Sequence, residues 1–110
     1  MALIYEWGFH VKAGKEADFE SWLALNERGL AEKSPNHYEY LGTYVPVWDS
    51  LKTGYRQLWR YGSERVPDMR KAASDTSGEF TALAREYLSF VDETRSDDET
   101  FRLHRSVIAD

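Results

Sequence analysis

No cysteine occurs in the 110 residues. That excludes disulfides, thiolate nucleophiles and any cysteine-ligated zinc. Positive charge is scarce: 14 Lys and Arg stand against 19 Asp and Glu, for a formal net charge of −5. A general nucleic-acid binder normally carries a basic field, and anionic lipid attracts basic clusters, so neither nucleic acid nor membrane is expected as a partner. Long apolar runs are missing too; none approaches the roughly 18 residues of a membrane span. Residues 1–12 contain Glu6 and His10 and read as a strand rather than a leader peptide. The expected location is cytoplasmic. There is no glycine-rich phosphate loop, no nucleotide fingerprint, no defensible Ser-His-Asp order and no internal repeat.

What is present is an ordinary globular composition, 42% hydrophobic and 30% charged, of a length suited to one domain over 1–110. Four Trp, seven Tyr and five Phe supply much of the apolar area. Residues 3–12 alternate: Leu3, Tyr5, Trp7, Phe9 and Val11 share one face, while Ile4, Glu6, Gly8, His10 and Lys12 share the other. Period 2 with β-formers predicts a strand. Residues 15–33 predict a helix, with Glu16 and Asp18 in the first turn and Phe19, Trp22, Leu23 and Leu30 as its apolar stripe. A second strand is expected over 38–48, with Tyr38, Tyr40 and Tyr44 on one face and Leu41, Val45 and Val47 on the other. Pro46 cannot donate to a ladder, so this strand belongs at an edge or carries a bulge. A third strand covers 55–61, with Tyr55, Gln57, Trp59 and Tyr61 opposite Arg56, Leu58 and Arg60.

A helical region over 64–94 follows, divided by the breakers at Ser74–Gly78. Its first part offers Val66, Met69 and Ala73. Its second part carries Phe80, Leu83, Ala84, Tyr87, Leu88 and Val91 at helical spacing. Residues 95–99 read as a charged loop, and 100–108 as a last strand. The order βαββαβ is the ferredoxin-like pattern: an α+β fold with a four-stranded antiparallel sheet and both helical regions on one face. Right-handed crossovers place the first and third strands in the centre, the fourth beside the first and the second at the far edge.

Two helical regions cover one face of such a sheet. The other carries Glu6, His10, Arg56 and Arg60 mixed with Ile4 and Leu58, and Arg102 with His104 on the last strand. That face is too apolar for plain solvent and too charged for a closed core. Two copies packed face to face would enclose a polar-lined barrel, so a homodimer is expected. A solvated sheet face with surface ion pairs is the plainer alternative.

The acid/base candidates are Glu6, His10 and His104. Glu6 and His10 lie four apart on one strand, about 13 Å at ~3.3 Å per residue, and cannot bond each other. Glu6 has Arg56 and Arg60 as candidate partners, and a buried structural ion pair accounts for the same residues without chemistry. Two histidines and a glutamate lack any local ligand motif, so neither metal nor cofactor is expected. Candidate ligand contacts are Trp59, Arg60, Arg56 and Tyr44. The aromatic patch of Tyr38, Tyr40, Tyr44 and Trp48 reads either as a ligand surface or, preferably, as packing at a dimer seam. Arg65 and Arg70 on the helix, and His37 in its loop, read as surface residues.

The opening IYEWGFHVKAGKEADFESW runs a Tyr-Glu strand through a Lys12-Ala13-Gly14-Lys15 turn into a helix. The segment LGTYVPVWDSLKTGYRQLWRYGSERVPDMRKA adds Gly42, the run Leu58-Trp59-Arg60-Tyr61, Arg65 and Arg70. Together these resemble NIPSNAP-like proteins over the first two-thirds of the chain. Gly8 stands where that family usually has Arg, and Gln57 where it often has His. The resemblance implies the dimeric α/β-barrel superfamily, whose members include cofactor-free monooxygenases, haem-degrading enzymes and small dehydratases or isomerases. No motif selects among them. Two function classes stay open: a small-molecule binder or cofactor-independent enzyme, monooxygenase-like or isomerase/dehydratase-like, and a non-enzymatic interaction or structural homodimer.

Overall fold

The computed structural model describes residues 3–35, 38–47, 54–61 and 78–108. Period-2 segments form four strands: β1 Leu3–Phe9, β2 Tyr38–Tyr44, β3 Tyr55–Tyr61 and β4 Thr100–Arg105. Among the described residues two α-helices occur, α1 Glu16–Glu32 and α2 Glu79–Ser89. The strands make one antiparallel sheet in the order β2-β3-β1-β4. That is the expected arrangement, with β2 and its following Pro46 at one edge.

One face of the sheet packs against the helices. Tyr5, Trp7 and Phe9 of β1, Tyr55 and Trp59 of β3 and Tyr40 of β2 join Phe19 and Leu30 of α1 and Phe80, Ala84 and Tyr87 of α2 in a single core. Its centre is aromatic. Phe19 meets Tyr55 and Tyr87 edge-on, each with centroids 5.1 Å apart, and Phe9 stacks on Trp7 at 4.4 Å. Such pairs add about 0.5–1.5 kcal/mol each beyond the area they bury. Trp22 and Leu23 complete the α1 stripe from its margin. No helix among the described residues is long and apolar enough to cross a membrane.

Several boundaries differ from expectation, each for a local reason. Strand β1 ends at Phe9; beyond it Val11 makes an isolated antiparallel bridge to Val91. Lys12 N–H donates to the Phe90 carbonyl and Asp92 N–H to that of His10. The chain at 91–92 therefore pairs with the extension of β1, and α2 stops at Ser89 instead of running to 94. The charged stretch that follows is a 3₁₀ helix over Glu93–Asp98, capped by Asp92, whose carboxylate accepts from Thr94 N–H at 3.0 Å and Thr94 Oγ1 at 2.6 Å. Strand β4 ends at Arg105, so Ile108 lies past the strand and is exposed.

The expected face of Tyr44 is corrected by a β-bulge. Tyr40 pairs with Trp59, but Gly42 pairs with Leu58, so Leu41 is an extra residue. The inserted residue inverts the alternation. Thr43 takes the helix-facing side opposite Gln57, and Tyr44 turns to the open side opposite Arg56. Strand β2 ends there, short of the expected 48. The helical part expected over 64–73, together with Trp48, His37, Arg65 and Arg70, lies outside the described residues.

Candidate functional site

The open side of the sheet collects charge around Glu6. Its Oε1 lies 3.2 Å from His104 Nε2 and its Oε2 lies 3.5 Å from Arg56 Nε. Glu6 and Arg56 are only 19% and 17% exposed in the monomer. Arg56 sits opposite Gly8 in the ladder. A Cβ at Gly8 would lie 3.0 Å from the Arg56 guanidinium and would strike the Thr100 hydroxyl. Glycine there leaves the space that the guanidinium fills from β3. The expected partner of Glu6 is thus Arg56. Arg60 points elsewhere, to Glu39 at 3.1 Å in an exposed pair.

The three acid/base candidates do not converge. His104 reaches Glu6, whereas His10 lies past the end of β1, buried, with Nε2 3.9 Å from Asp98 Oδ2. Burial above all, and then the Arg95 charge, holds the His10 imidazole below its ordinary value despite Asp98. Tyr44 is half exposed and donates to the Leu41 carbonyl at 3.2 Å. Trp59 is on the other side of the sheet, 3% exposed and edge-on to Phe80 and Tyr40. The ligand-contact candidates are therefore split between two compartments. Among the described residues no group of three or more His, Cys, Asp and Glu side chains could hold a metal ion.

The helix side holds an arrangement the sequence reading did not single out. Gln57, at the centre of β3, is fully buried, and its Oε1 accepts from Trp59 Nε1 at 2.7 Å. Its side chain also hydrogen-bonds Tyr87. The Tyr87 hydroxyl lies 2.7 Å from Thr43 Oγ1, which in turn meets the Tyr40 hydroxyl. Tyr40 donates to Glu27 Oε2 at 2.9 Å, and Thr43 N–H donates to the same oxygen at 3.2 Å. Each hydroxyl has one proton. Tyr40 gives its proton to Glu27, so Thr43 donates to Tyr40 and Tyr87 donates to Thr43. The chain of donors runs one way, from Trp59 in the core to the carboxylate of Glu27, and such chains polarise cooperatively. Burial raises the pKa of both Tyr40 and Tyr87, which keeps the two phenols protonated as donors.

Glu27 stands at the rim of a cleft of about 260 Å³ between α1 and the ends of β2 and β3. It is lined by Glu20, Leu23, Ala24, Glu27, Thr43, Val45 and Tyr55. Tyr55 donates to Glu20 Oε2 at 2.9 Å. Burial and this bond push its phenol up to about 12. The legible signal was the spacing of Glu20 and Glu27, two helical turns apart and beside Leu23 and Ala24. Thr43 gave no signal, because only the bulge turns it inward.

A protein from Bordetella bronchiseptica, named as a candidate antibiotic biosynthesis monooxygenase, superposes with TM-score 0.61 at 16% identity, covering 98% of this chain and all of that one. SnoaB, a cofactor-independent oxygenase from Streptomyces nogalater, gives 0.53 at 13% identity over 98% and 95%. An uncharacterised NIPSNAP domain protein from Burkholderia xenovorans gives 0.51 at 12% identity over the whole of both chains. The chain has the ferredoxin-like fold. No protein-family model and no curated protein matches the sequence. At these identities the likeness is one of fold, and it includes a NIPSNAP domain, as the β1 and β3 motifs suggested. On this ferredoxin-like sheet, the charged cluster occupies the open face and the cleft lies on the helix side.

Proposed function

We propose that the protein is a homodimer, closed through its open sheet faces, that holds a small organic molecule in the helix-side cleft as a binding protein or cofactor-independent enzyme. The observation that carries this is the cleft itself: apolar walls from Leu23, Ala24 and Val45, with the Glu20 and Glu27 carboxylates and the Tyr55 and Thr43 hydroxyls converging on it. Its volume of about 260 Å³ falls just below the usual ~300–1,000 Å³ of small-molecule sites, and a few fixed polar groups in an apolar hollow are the usual make-up of such sites. The fold shared with a cofactor-independent oxygenase supports the enzymatic form of the reading. The half-apolar open face, where Ile4 and Leu58 flank the Glu6–Arg56 pair, supports the dimer.

The test has two arms. Ligand-observed NMR with a library of small organic fragments should find binders of the wild type that the cleft-filling variant Ala24→Phe no longer holds. Light scattering should give a mass near twice 12.8 kDa, and Leu58→Glu should halve it. Fragments that bind both forms alike would remove the cleft from the reading; a monomer at micromolar concentration would remove the dimer.

A further inference from the structure

Among the described residues the charged groups lining the helix-side cleft are of one sign: Glu20 and Glu27, both acidic. Two other acidic residues of α1 have basic neighbours: Asp18 lies 3.8 Å from Lys15 and Glu32 lies 3.1 Å from Arg28. Glu20 and Glu27 have no ion-pair partner among the described residues. Each is instead held by hydroxyl or amide donors, and each through Oε2: Glu20 by Tyr55, Glu27 by Tyr40 and the Thr43 N–H. The remaining oxygen, Oε1, has no hydrogen-bond partner among the described residues in either case. Every donor in the chain that ends on Glu27 points toward the carboxylate.

We propose that the cleft takes an aliphatic ammonium ligand, with a short diamine as the best fit, the free Oε1 atoms of Glu20 and Glu27 accepting from its two ends. This rests on the reading of the cleft as a small-molecule site and adds the ligand's chemical class. Glu20 and Glu27 are two turns apart, about 10 Å along the axis at ~1.5 Å per residue. Leu23, Ala24 and Val45 lie between and opposite them, a surface for a hydrocarbon segment and a poor one for a polar spacer. The Tyr55 ring adds an aromatic wall that tolerates a cation. An anionic ligand would meet two carboxylates and no counter-charge among the described lining residues.

Isothermal titration calorimetry with cadaverine, pentylamine, pentanol and pentanoate separates the possibilities. Cadaverine should bind more tightly than pentylamine, and both more tightly than pentanol or pentanoate. Glu20→Gln and Glu27→Gln keep a carbonyl oxygen for the tyrosine donors and remove the charge; each should weaken cadaverine roughly tenfold or more. Asp18→Asn, on the exposed side of the same helix, controls for the general negative field and should leave binding unchanged. Circular dichroism melts verify that each variant is folded. Pentanol or pentanoate binding as tightly as cadaverine, or an Asp18→Asn loss equal to the others, would overturn the cationic class. If the fragment library finds cleft binders that Ala24→Phe abolishes while no amine binds, the class fails and the small-molecule site stands. If no fragment of any kind binds, the site reading itself fails.

Discussion

His10 shows how far a single residue's role depends on what surrounds it. In the sequence it is a polar residue on an alternating strand, on the same side as Glu6. In the fold it is buried, 3.9 Å from Asp98 and within the field of Arg95. Burial and Arg95 outweigh Asp98, so the folded pKa lies below the unfolded one. Between these two values the unfolded chain binds more protons. Stability is then intact above the unfolded value and is lost as pH falls toward the folded one. His10→Gln removes this contribution. Urea unfolding at about pH 7.5 and about pH 5 should show the wild type losing more stability than the variant across that interval. Parallel losses in the two proteins would mean that His10 titrates as it does in the unfolded chain. Gly8 is the complementary case: its role is the absence of a side chain, which only the position of Arg56 makes visible.

At the scale of elements, the strands and helices follow the hydrophobic period closely, and departures come from tertiary pairing. Strand β3 and both edges of α1 lie where alternation and the apolar stripe put them. Helix α2 is cut short because residues 90–92 are needed to pair with 10–12. Strand β2 shows the largest departure. Gly42, at φ 142°, occupies a backbone region open to glycine, and a Cβ there would lie 2.9 Å from the Tyr44 ring. The bulge that it permits sends Thr43 inward to the donor chain and Tyr44 outward. Gly42→Val should therefore cost about 1–3 kcal/mol in denaturant unfolding. It should also loosen the Thr43–Tyr87 contact, visible as faster hydrogen exchange at Thr43 N–H. A variant as stable as the wild type, with that amide still protected, would show that the bulge does not depend on glycine.

At the scale of the whole molecule, the sheet separates two chemistries. The helix side encloses a directed chain of uncharged donors that ends on the Glu27 carboxylate; the open side bears an ion pair between residues more than four-fifths buried even in one copy. If a second copy covers that side, removing one partner strands a charge in a closed face. A double-mutant cycle of Glu6→Gln with Arg56→Met should then give a coupling of about 0.5–3 kcal/mol, larger at protein concentrations where the dimer forms. The exposed Arg60–Glu39 pair should give no more than about 0.5–1 kcal/mol. Coupling between Glu6 and Arg56 that is equally small and independent of concentration would mean that the face remains in water.

Element order, strand order and the division of β1 and β3 into an apolar and a mixed face were determined by sequence alone. Each follows from periodicity and from the handedness of crossovers, which are local or general rules. The Glu6–Arg56 alternative to Glu6–Arg60 was decided by the tertiary structure, because both arginines share a face and only register and the vacancy at Gly8 distinguish them. The cleft and its donor chain were decided there as well. They bring together Glu27 of α1, Tyr40 and Thr43 of β2, Gln57 and Trp59 of β3 and Tyr87 of α2. Read singly, these are a surface acid, ordinary strand residues and a core aromatic. Their convergence depends on a one-residue bulge that reverses a period-2 pattern, and no periodicity records an insertion whose effect is felt only across the ladder.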